Sequence, residues 1–178
     1  MASIIFIAGV HGVGKTTMCS LASADLGILH KSASQLIREA KENKTTDTSK
    51  LVDDVDGNQI LLINSLSAIR ESRNKLLLDG HFVLFDSVKR TQEIETKIFS
   101  ELGIDSIVLI VDEAKSIHQR LDSRDKNRNF TLDDIEAFQR LEIKRAEEVA
   151  SELKLNLRKI NSFDQPNFNR AIVDLLAL

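Results

Sequence analysis

Apolar residues gather in short runs that are separated by longer segments of mixed character. The four runs lie at residues 4–8, 75–78, 107–111 and 155–160. Strands that are buried on both faces of a parallel sheet have continuous apolar runs of this length, whereas the longer segments repeat their apolar positions with a helical period. The pattern predicts an α/β fold in which helices cover both faces of a parallel sheet.

The segments between the runs predict seven helices. They cover residues 15–26, 34–43, 58–73, 91–102, 113–121, 131–153 and 165–176. Pro166 suits the first turn of the last helix, where its missing N–H costs no hydrogen bond. Thr131 precedes Asp133 and Asp134, and a hydroxyl residue followed by acidic residues favours a helix start. Two polar segments, 43–49 and the arginine-rich 123–129, predict loops, and the first is expected to be mobile.

A glycine-rich segment follows the first predicted strand directly and precedes the first helix. It has the spacing of a phosphate-binding loop and reads Gly9, Val10, His11, Gly12, Val13, Gly14, Lys15, Thr16 and Thr17. Glycines let successive backbone N–H groups curve around phosphate, and the following helix N-terminus attracts anions. Lys15 can reach the β- and γ-phosphates of ATP, and the Thr16 hydroxyl can bind Mg²⁺. These residues predict a three-layer P-loop NTPase fold with about five strands. A turn that only joins strand to helix is the alternative.

Acidic and histidine side chains follow the second apolar run. Asp79 comes directly after three leucines, and a parallel neighbour would place it beside the phosphate loop, where it could hold Mg²⁺ directly or through water. A carboxylate that caps the strand end is the alternative. His81 could orient water, contact a phosphoryl acceptor or be structural. His11 either tunes specificity or occupies a variable position of the loop.

The phosphate loop, residues 76–80, the arginine-rich segment and the helix after it resemble the adenylate kinase-like nucleoside monophosphate kinases. The resemblance is strongest to the short-lid branch of this family, which includes archaeal-type adenylate kinases and the nuclear adenylate kinase-like ATPases of ribosome assembly. These ATPases carry an Asp-x-His motif, which Asp79-Gly80-His81 matches. The resemblance implies an acceptor-binding helical insert at about 31–73, carrying the mobile loop, and a short lid at about 120–130.

The resemblance also implies roles for single residues. Residues 9–17 would hold the ATP phosphates, with Lys15 on the transferred group and Thr16 and Asp79 on magnesium. Arg38 would be the counterpart of the arginine that binds the acceptor phosphate, and a solvated arginine is the alternative. Asn161 would line the adenine pocket. Adenylate kinases continue the Asp-Gly pair with Phe-Pro-Arg, which this chain lacks, so the acceptor need not be AMP.

Arginines recur every four residues at Arg120, Arg124 and Arg128. Arginines on a closing segment stabilise the charge that spreads over a transferred phosphoryl group, and the resemblance places such arginines in the lid. An exposed basic face that pairs with neighbouring aspartates is the alternative. Arg140 or Arg145 on the next helix could supply a further catalytic arginine, but the spacing does not select one.

Composition narrows the classes of partner. A chain of 178 residues is most simply one domain, here residues 1–178, that needs no disulfide or metal to fold. The net charge of −3 and an aromatic content of 4% disfavour nucleic acid as a partner. The single cysteine, Cys19, favours a reducing compartment and a packing role. With no apolar run long enough for a membrane span, a cytoplasmic protein is expected.

Together these features predict an enzyme that transfers the γ-phosphate of Mg-ATP to a small-molecule acceptor, with a nucleotide or nucleoside as the first choice. The alternative is a nucleotide-dependent switch or assembly ATPase with a protein partner and no small-molecule acceptor. A polynucleotide 5′-kinase is disfavoured by the acidic balance and the few aromatic residues.

Overall fold

The main sheet consists of five parallel strands, and a separate two-stranded hairpin lies beside it. The computed structural model describes residues 3–44, 55–71, 74–85, 90–124 and 130–177. Its strands are β1 Ser3–Ala8, β2 Leu29–Ser32, β3 Lys75–Asp79, β4 Val83–Phe85, β5 Thr91–Glu93, β6 Ser106–Val111 and β7 Asn156–Asn161. The five-stranded sheet has the order β2-β3-β1-β6-β7, and β4 pairs with β5 in antiparallel fashion.

Helices cover both faces of this sheet. They are α1 Lys15–Leu26, α2 Ala33–Lys44, α3 Val55–Glu71, α4 Thr96–Leu102, α5 Ala114–Arg124, α6 Leu132–Leu153 and α7 Gln165–Leu176. Alternate residues of a strand point to opposite faces. Accordingly Ile4 and Phe6 pack in the core cluster that contains α2, α3 and α4, whereas Ile5 and Ile7 pack in the cluster that contains α1, α5 and α7. The predicted three-layer α/β fold is confirmed.

Several predicted helix starts are also confirmed. Helix α1 begins at Lys15 and α7 begins at Gln165, with the proline in its first turn. Helix α6 begins after Thr131, whose hydroxyl accepts from the backbone N–H of Asp134, while the Asp134 carboxylate accepts from the backbone N–H of Thr131. Cys19 is buried in the core, as its predicted packing role requires.

Two parts of the prediction are wrong. Residues 91–95 are not helical, because residues 91–93 form β5 and pair with β4, so α4 begins only at Thr96. Strand β2 was not predicted, and it forms one edge of the main sheet. Its sequence Leu-His-Lys-Ser has a single large apolar residue, too few to produce a buried-strand signal.

Some predicted segments lie partly outside the described residues. These are the loop at 43–49, the middle of the helical insert at 45–54, the end of the helix at 72–73 and the lid segment 125–129. Among the described helices, none is long and apolar enough to cross a membrane.

Candidate functional site

The glycine-rich loop leaves the carboxyl end of β1 and leads straight into α1. Gly14 has a φ of 104° and forms the N-cap of α1, and a side chain there would meet the Phe163 ring at 3.0 Å. Gly12 has a φ of 79°, and a side chain there would meet Leu121 of α5 at 2.7 Å. Positive φ values and this crowding require glycine at both positions. At these two positions the loop therefore presents bare backbone at the start of a helix, which is an anion-binding arrangement.

Lys15 points back into the mouth of this loop. Its Nζ donates to the carbonyl oxygens of Gly9, at 2.6 Å, and Val10, at 3.3 Å. Only 7% of the residue is exposed. Burial lowers the pKa of Lys15, while the nearby carboxylates of Glu142 and Asp79 act in the opposite direction. The ammonium group is thus a compact cation held where a phosphate would enter.

Asp79 lies beside the loop because β3 is the parallel neighbour of β1, with Ile7 opposite Asp79. The Thr16 hydroxyl donates to Asp79 Oδ2 at 3.2 Å. His30, on β2, donates from Nε2 to the same oxygen at 2.8 Å. The predicted metal pair, Thr16 and Asp79, is therefore in direct contact, and a hydroxyl and a carboxylate are hard oxygen ligands that fit Mg²⁺. The contact of His30 with Asp79 was not expected from the sequence.

Two histidine rings extend the site from the loop toward the hairpin. His11 and His81 have ring centroids 4.0 Å apart, and His11 also contacts Phe85 of β4 edge to face. His81 Nε2 is 3.5 Å from Lys15 Nζ. Burial, followed by the charges of Lys15 and His11, lowers the pKa of His81 well below its usual value. His81 is therefore neutral at physiological pH and can accept a hydrogen bond.

A buried carboxylate on α6 joins the phosphate loop to the segment after β3. Glu142 is 2% exposed, and its Oε1 accepts from the backbone N–H groups of Gly9, at 3.2 Å, and Phe82, at 2.9 Å. Its Oε2 accepts from Val83 at 2.8 Å and from Phe82 at 3.1 Å. Burial raises the pKa of Glu142, and these hydrogen bonds and Lys15 oppose the rise. Glu142 could not be predicted from the sequence, because a single glutamate on a charge-rich helix carries no signal.

Arg120, on α5, also contacts the phosphate loop. Its Nε donates to the Gly12 carbonyl at 2.8 Å and its Nη2 to Asp112 Oδ2 at 2.6 Å, and its guanidinium lies 5.1 Å from the centre of the Phe163 ring. The adjacent Ser162 hydroxyl donates to the Val13 carbonyl. The predicted residue Asn161 is exposed at the end of β7, just before this contact. Helix α5, through Arg120, and the loop after β7, through Ser162, thus hold the phosphate loop in place.

A cavity of about 660 Å³ opens opposite Lys15. Its polar lining beyond the loop includes Ser32, Ser34, Asn58 and Gln59, and its apolar lining includes Phe6, Ile37, Leu62 and Phe99. The Asn58 Oδ1 atom is buried and has no hydrogen-bond partner among the described residues. A small molecule that enters this cavity meets these hydroxyl and amide groups together with Lys15, Asp79 and His81.

Of the remaining predicted arginines, those whose side chains the structure describes do not line this cavity. Arg38 is exposed on α2 and is not among the residues that line the cavity. Arg124 is the last residue of α5, and Arg128 lies outside the described residues. Arg145, on α6, donates instead to the Ile94 carbonyl and to Thr96, which fixes the end of the hairpin. Arg140 pairs with Glu136 on the exposed side of α6.

Comparisons with known proteins agree with this architecture. A family profile described as an AAA domain matches residues 8–139. A comparison with curated proteins finds no significant match. A shikimate kinase from Bacteroides thetaiotaomicron has a similar structure, with 18% identity, 99% coverage of both chains and a TM-score of 0.56. A gluconokinase from Sinorhizobium meliloti 1021 has 13% identity, 99% coverage of this chain, 91% of that chain and a TM-score of 0.54. At these identities the structural likeness concerns the fold.

Proposed function

The chain belongs to the AAA domain family, and we propose that it is an ATP-dependent kinase that transfers the γ-phosphoryl group of Mg-ATP to a small-molecule acceptor. One observation carries the proposal. Lys15, the Thr16–Asp79 pair and His81 line one cavity together with uncharged polar side chains. The groups that would bind the ATP phosphates and the groups that would recognise an acceptor thus share one cavity.

The phosphate loop supplies the donor subsite. Its backbone N–H groups and the N-terminus of α1 bind the phosphates, and Lys15 places a positive charge on the β- and γ-phosphates. Thr16 and Asp79 hold Mg²⁺, which neutralises charge on the phosphate oxygens. Arg120 keeps the loop in shape through the Gly12 carbonyl and offers its guanidinium, beside Phe163, to the nucleotide base.

The cavity supplies the acceptor subsite. Hydroxyl and amide side chains recognise hydroxyl and amine groups, and the apolar wall accommodates a ring or a carbon skeleton. If the acceptor is a hydroxyl group, Asp79 or His81 would assist removal of its proton, and the lowered pKa makes His81 the weaker base of the two. This lining supports a nucleoside or another hydroxylated compound at least as well as a nucleotide. Two proteins with the same fold are named for gluconate and shikimate, so sugar acids and cyclic alcohols belong among the candidates.

Arg38, Arg124 and Arg128 stay predictions. If the acceptor carries a phosphate, Arg38 would bind it as the resemblance to adenylate kinases implies, and Arg38→Ala would weaken acceptor binding while ATP binding stays unchanged. Equal acceptor affinity in both proteins would remove Arg38 from the site.

The direct test follows the γ-phosphate. The protein is incubated with γ-labelled ATP, Mg²⁺ and separate panels of nucleosides, nucleoside monophosphates, sugars and sugar acids, and the labelled products are separated by chromatography. We expect label in one class of acceptor, and none when Lys15→Ala replaces the wild type. Label in free phosphate alone, across all panels, would contradict the kinase proposal and favour the switch or assembly ATPase, which the Asp79-Gly80-His81 motif beside Lys15 also fits.

A further inference from the structure

Three side chains of different chemistry meet beneath the phosphate loop. Cys19 lies on α1, His30 on β2 and Asp79 at the end of β3. One ligand atom from each, the thiol sulfur, an imidazole nitrogen and a carboxylate oxygen, lies within 4.8 Å of the other two. Of these three residues, only Asp79 has a role in the proposed phosphoryl transfer. The cysteine and the histidine beside its carboxylate have none.

This set of ligands suits a different metal from magnesium. Magnesium binds oxygen atoms and does not select thiolates, whereas zinc takes cysteine, histidine and carboxylate ligands together. Tetrahedral zinc with bonds of about 2.0–2.3 Å places its ligand atoms about 3.3–3.6 Å apart. In this structure His30 Nε2 and Asp79 Oδ2 are 2.8 Å apart. A shift of the order of 1 Å would therefore admit the ion, with the remaining position left for water.

Charge and burial favour a divalent ion once the thiol has lost its proton. Cys19 is fully buried, and the His30 and Asp79 side chains are 13% and 6% exposed. A dication with one thiolate and one carboxylate forms a neutral group, which lowers the cost of placing charge in the interior. Burial raises the pKa of the Cys19 thiol, so the ion must displace that proton into solvent on binding. When the ion binds, the His30 proton moves from Nε2 to Nδ1, and Nε2 becomes the ligand atom.

We propose that Cys19, His30 and Asp79 form a binding site for a thiophilic divalent cation of the zinc type, and that this ion inhibits the enzyme by taking Asp79 from magnesium. The inhibitory part rests on the proposed kinase function, but the metal site does not. Asp79 Oδ2 already accepts from Thr16 and from His30. An ion bound to Asp79 Oδ2 and His30 Nε2 replaces the hydrogen bond between these two atoms, and it competes with Mg²⁺ for the carboxylate that pairs with Thr16.

Cobalt(II) is the probe for the metal site, because it replaces zinc and its bond to a thiolate gives a charge-transfer absorption. Titration of the full chain, reduced and without nucleotide, should give this absorption and saturate at one ion per chain, and Zn²⁺ should abolish it. His30→Gln should weaken Co²⁺ binding at least about tenfold. His118→Gln is the matched control, since His118 pairs with Asp122 on α5, away from the cluster, and should leave binding unchanged.

Cys19→Ser removes the only thiol, so any remaining Co²⁺ absorption in that variant would come from other ligands. If Cys19→Ser fails to fold, the Co²⁺ affinity of His30→Gln decides whether the metal site exists. No thiolate absorption in the wild type at one equivalent, or undiminished affinity in His30→Gln, would overturn the site.

A second measurement addresses inhibition alone. Zn²⁺ at saturation should weaken binding of Mg-ATP to the wild type at least about tenfold and leave Cys19→Ser unaffected. A Co²⁺ site that forms without any change in Mg-ATP affinity would overturn the inhibitory role and keep the metal site. A protein that binds Co²⁺ as expected but transfers no phosphoryl group would instead count against the kinase proposal.

Discussion

Replacement of Glu142 is expected to lower the stability of the fold, because this buried side chain holds the phosphate loop. The carboxylate makes four contacts with three backbone N–H groups, those of Gly9, Phe82 and Val83. A glutamine has a single acceptor oxygen. If that oxygen takes the place of Oε1, the amide nitrogen lies where Oε2 stood, 2.8 Å from the Val83 nitrogen, and two donors then face each other. Glu142→Gln therefore leaves at least one buried N–H without a partner.

The magnitude follows from two opposing effects. An unsatisfied buried donor costs about 1–3 kcal/mol, and the remaining hydrogen bonds lose their charge assistance. An uncharged glutamine costs less free energy to bury than the carboxylate, whose burial raises the pKa of Glu142. This difference offsets part of the lost stability. We expect Glu142→Gln to lower the free energy of unfolding by about 1–2 kcal/mol, or the Tm by about 2–8 °C. Glu142→Ala leaves all three N–H groups unpaired and should lower it by at least about 3 kcal/mol.

Urea unfolding and thermal melting measure both changes. Glu136→Gln is the matched control on the same helix, because Glu136 is exposed and pairs with the exposed Arg140 at 3.7 Å. It should change stability by less than about 0.5 kcal/mol. A Glu142→Ala protein that is as stable as the wild type would refute the role given to this carboxylate.

Three further predictions concern the residues around the loop. Lys15→Ala should lower the rate of phosphoryl transfer at least about a hundredfold in a steady-state assay, and a smaller loss would contradict its place on the transferred group. Because burial lowers the pKa of His81, the folded chain resists its protonation, and stability should fall below about pH 6.5 by up to about 1.4 kcal/mol per pH unit. Thermal melting of His81→Asn between pH 7 and pH 5 should not show this loss of stability. An equal loss of stability in the wild type and in His81→Asn would contradict the role given to His81. Arg120→Lys cannot keep both contacts of the guanidinium and should weaken ATP binding about tenfold by calorimetry, whereas the exposed Arg140→Lys should bind ATP normally.

The sequence predicts the donor side well because its signals are local. Fixed offsets among glycines, lysine and threonine define the loop, and the continuous apolar strand before Asp79 predicts its place beside Thr16. Parallel pairing of β1 and β3 then follows from the fold. These features can be predicted because each depends only on the order of residues within a short segment.

Contacts between distant segments could not be predicted in this way. Glu142 is 133 residues from Gly9, and its hydrogen bonds depend on how α6 crosses the end of the sheet. Cys19, His30 and Asp79 come from three elements, and one of them, β2, has too little apolar character to be recognised. Hairpin strand β5 is fully polar and exposed, so only its pairing with β4 defines it. Tertiary packing, rather than local pattern, decides each of these features.

The ratio of products in steady-state turnover tests the kinase proposal most directly. ADP and inorganic phosphate are measured in the same reaction, with Mg-ATP and with each acceptor that takes up label. A kinase with a separate acceptor subsite predicts that ADP exceeds free phosphate by the amount of phosphorylated acceptor, and that Lys15→Ala forms neither product above background. Equal amounts of ADP and free phosphate with every acceptor would contradict phosphoryl transfer across the cavity opposite Lys15.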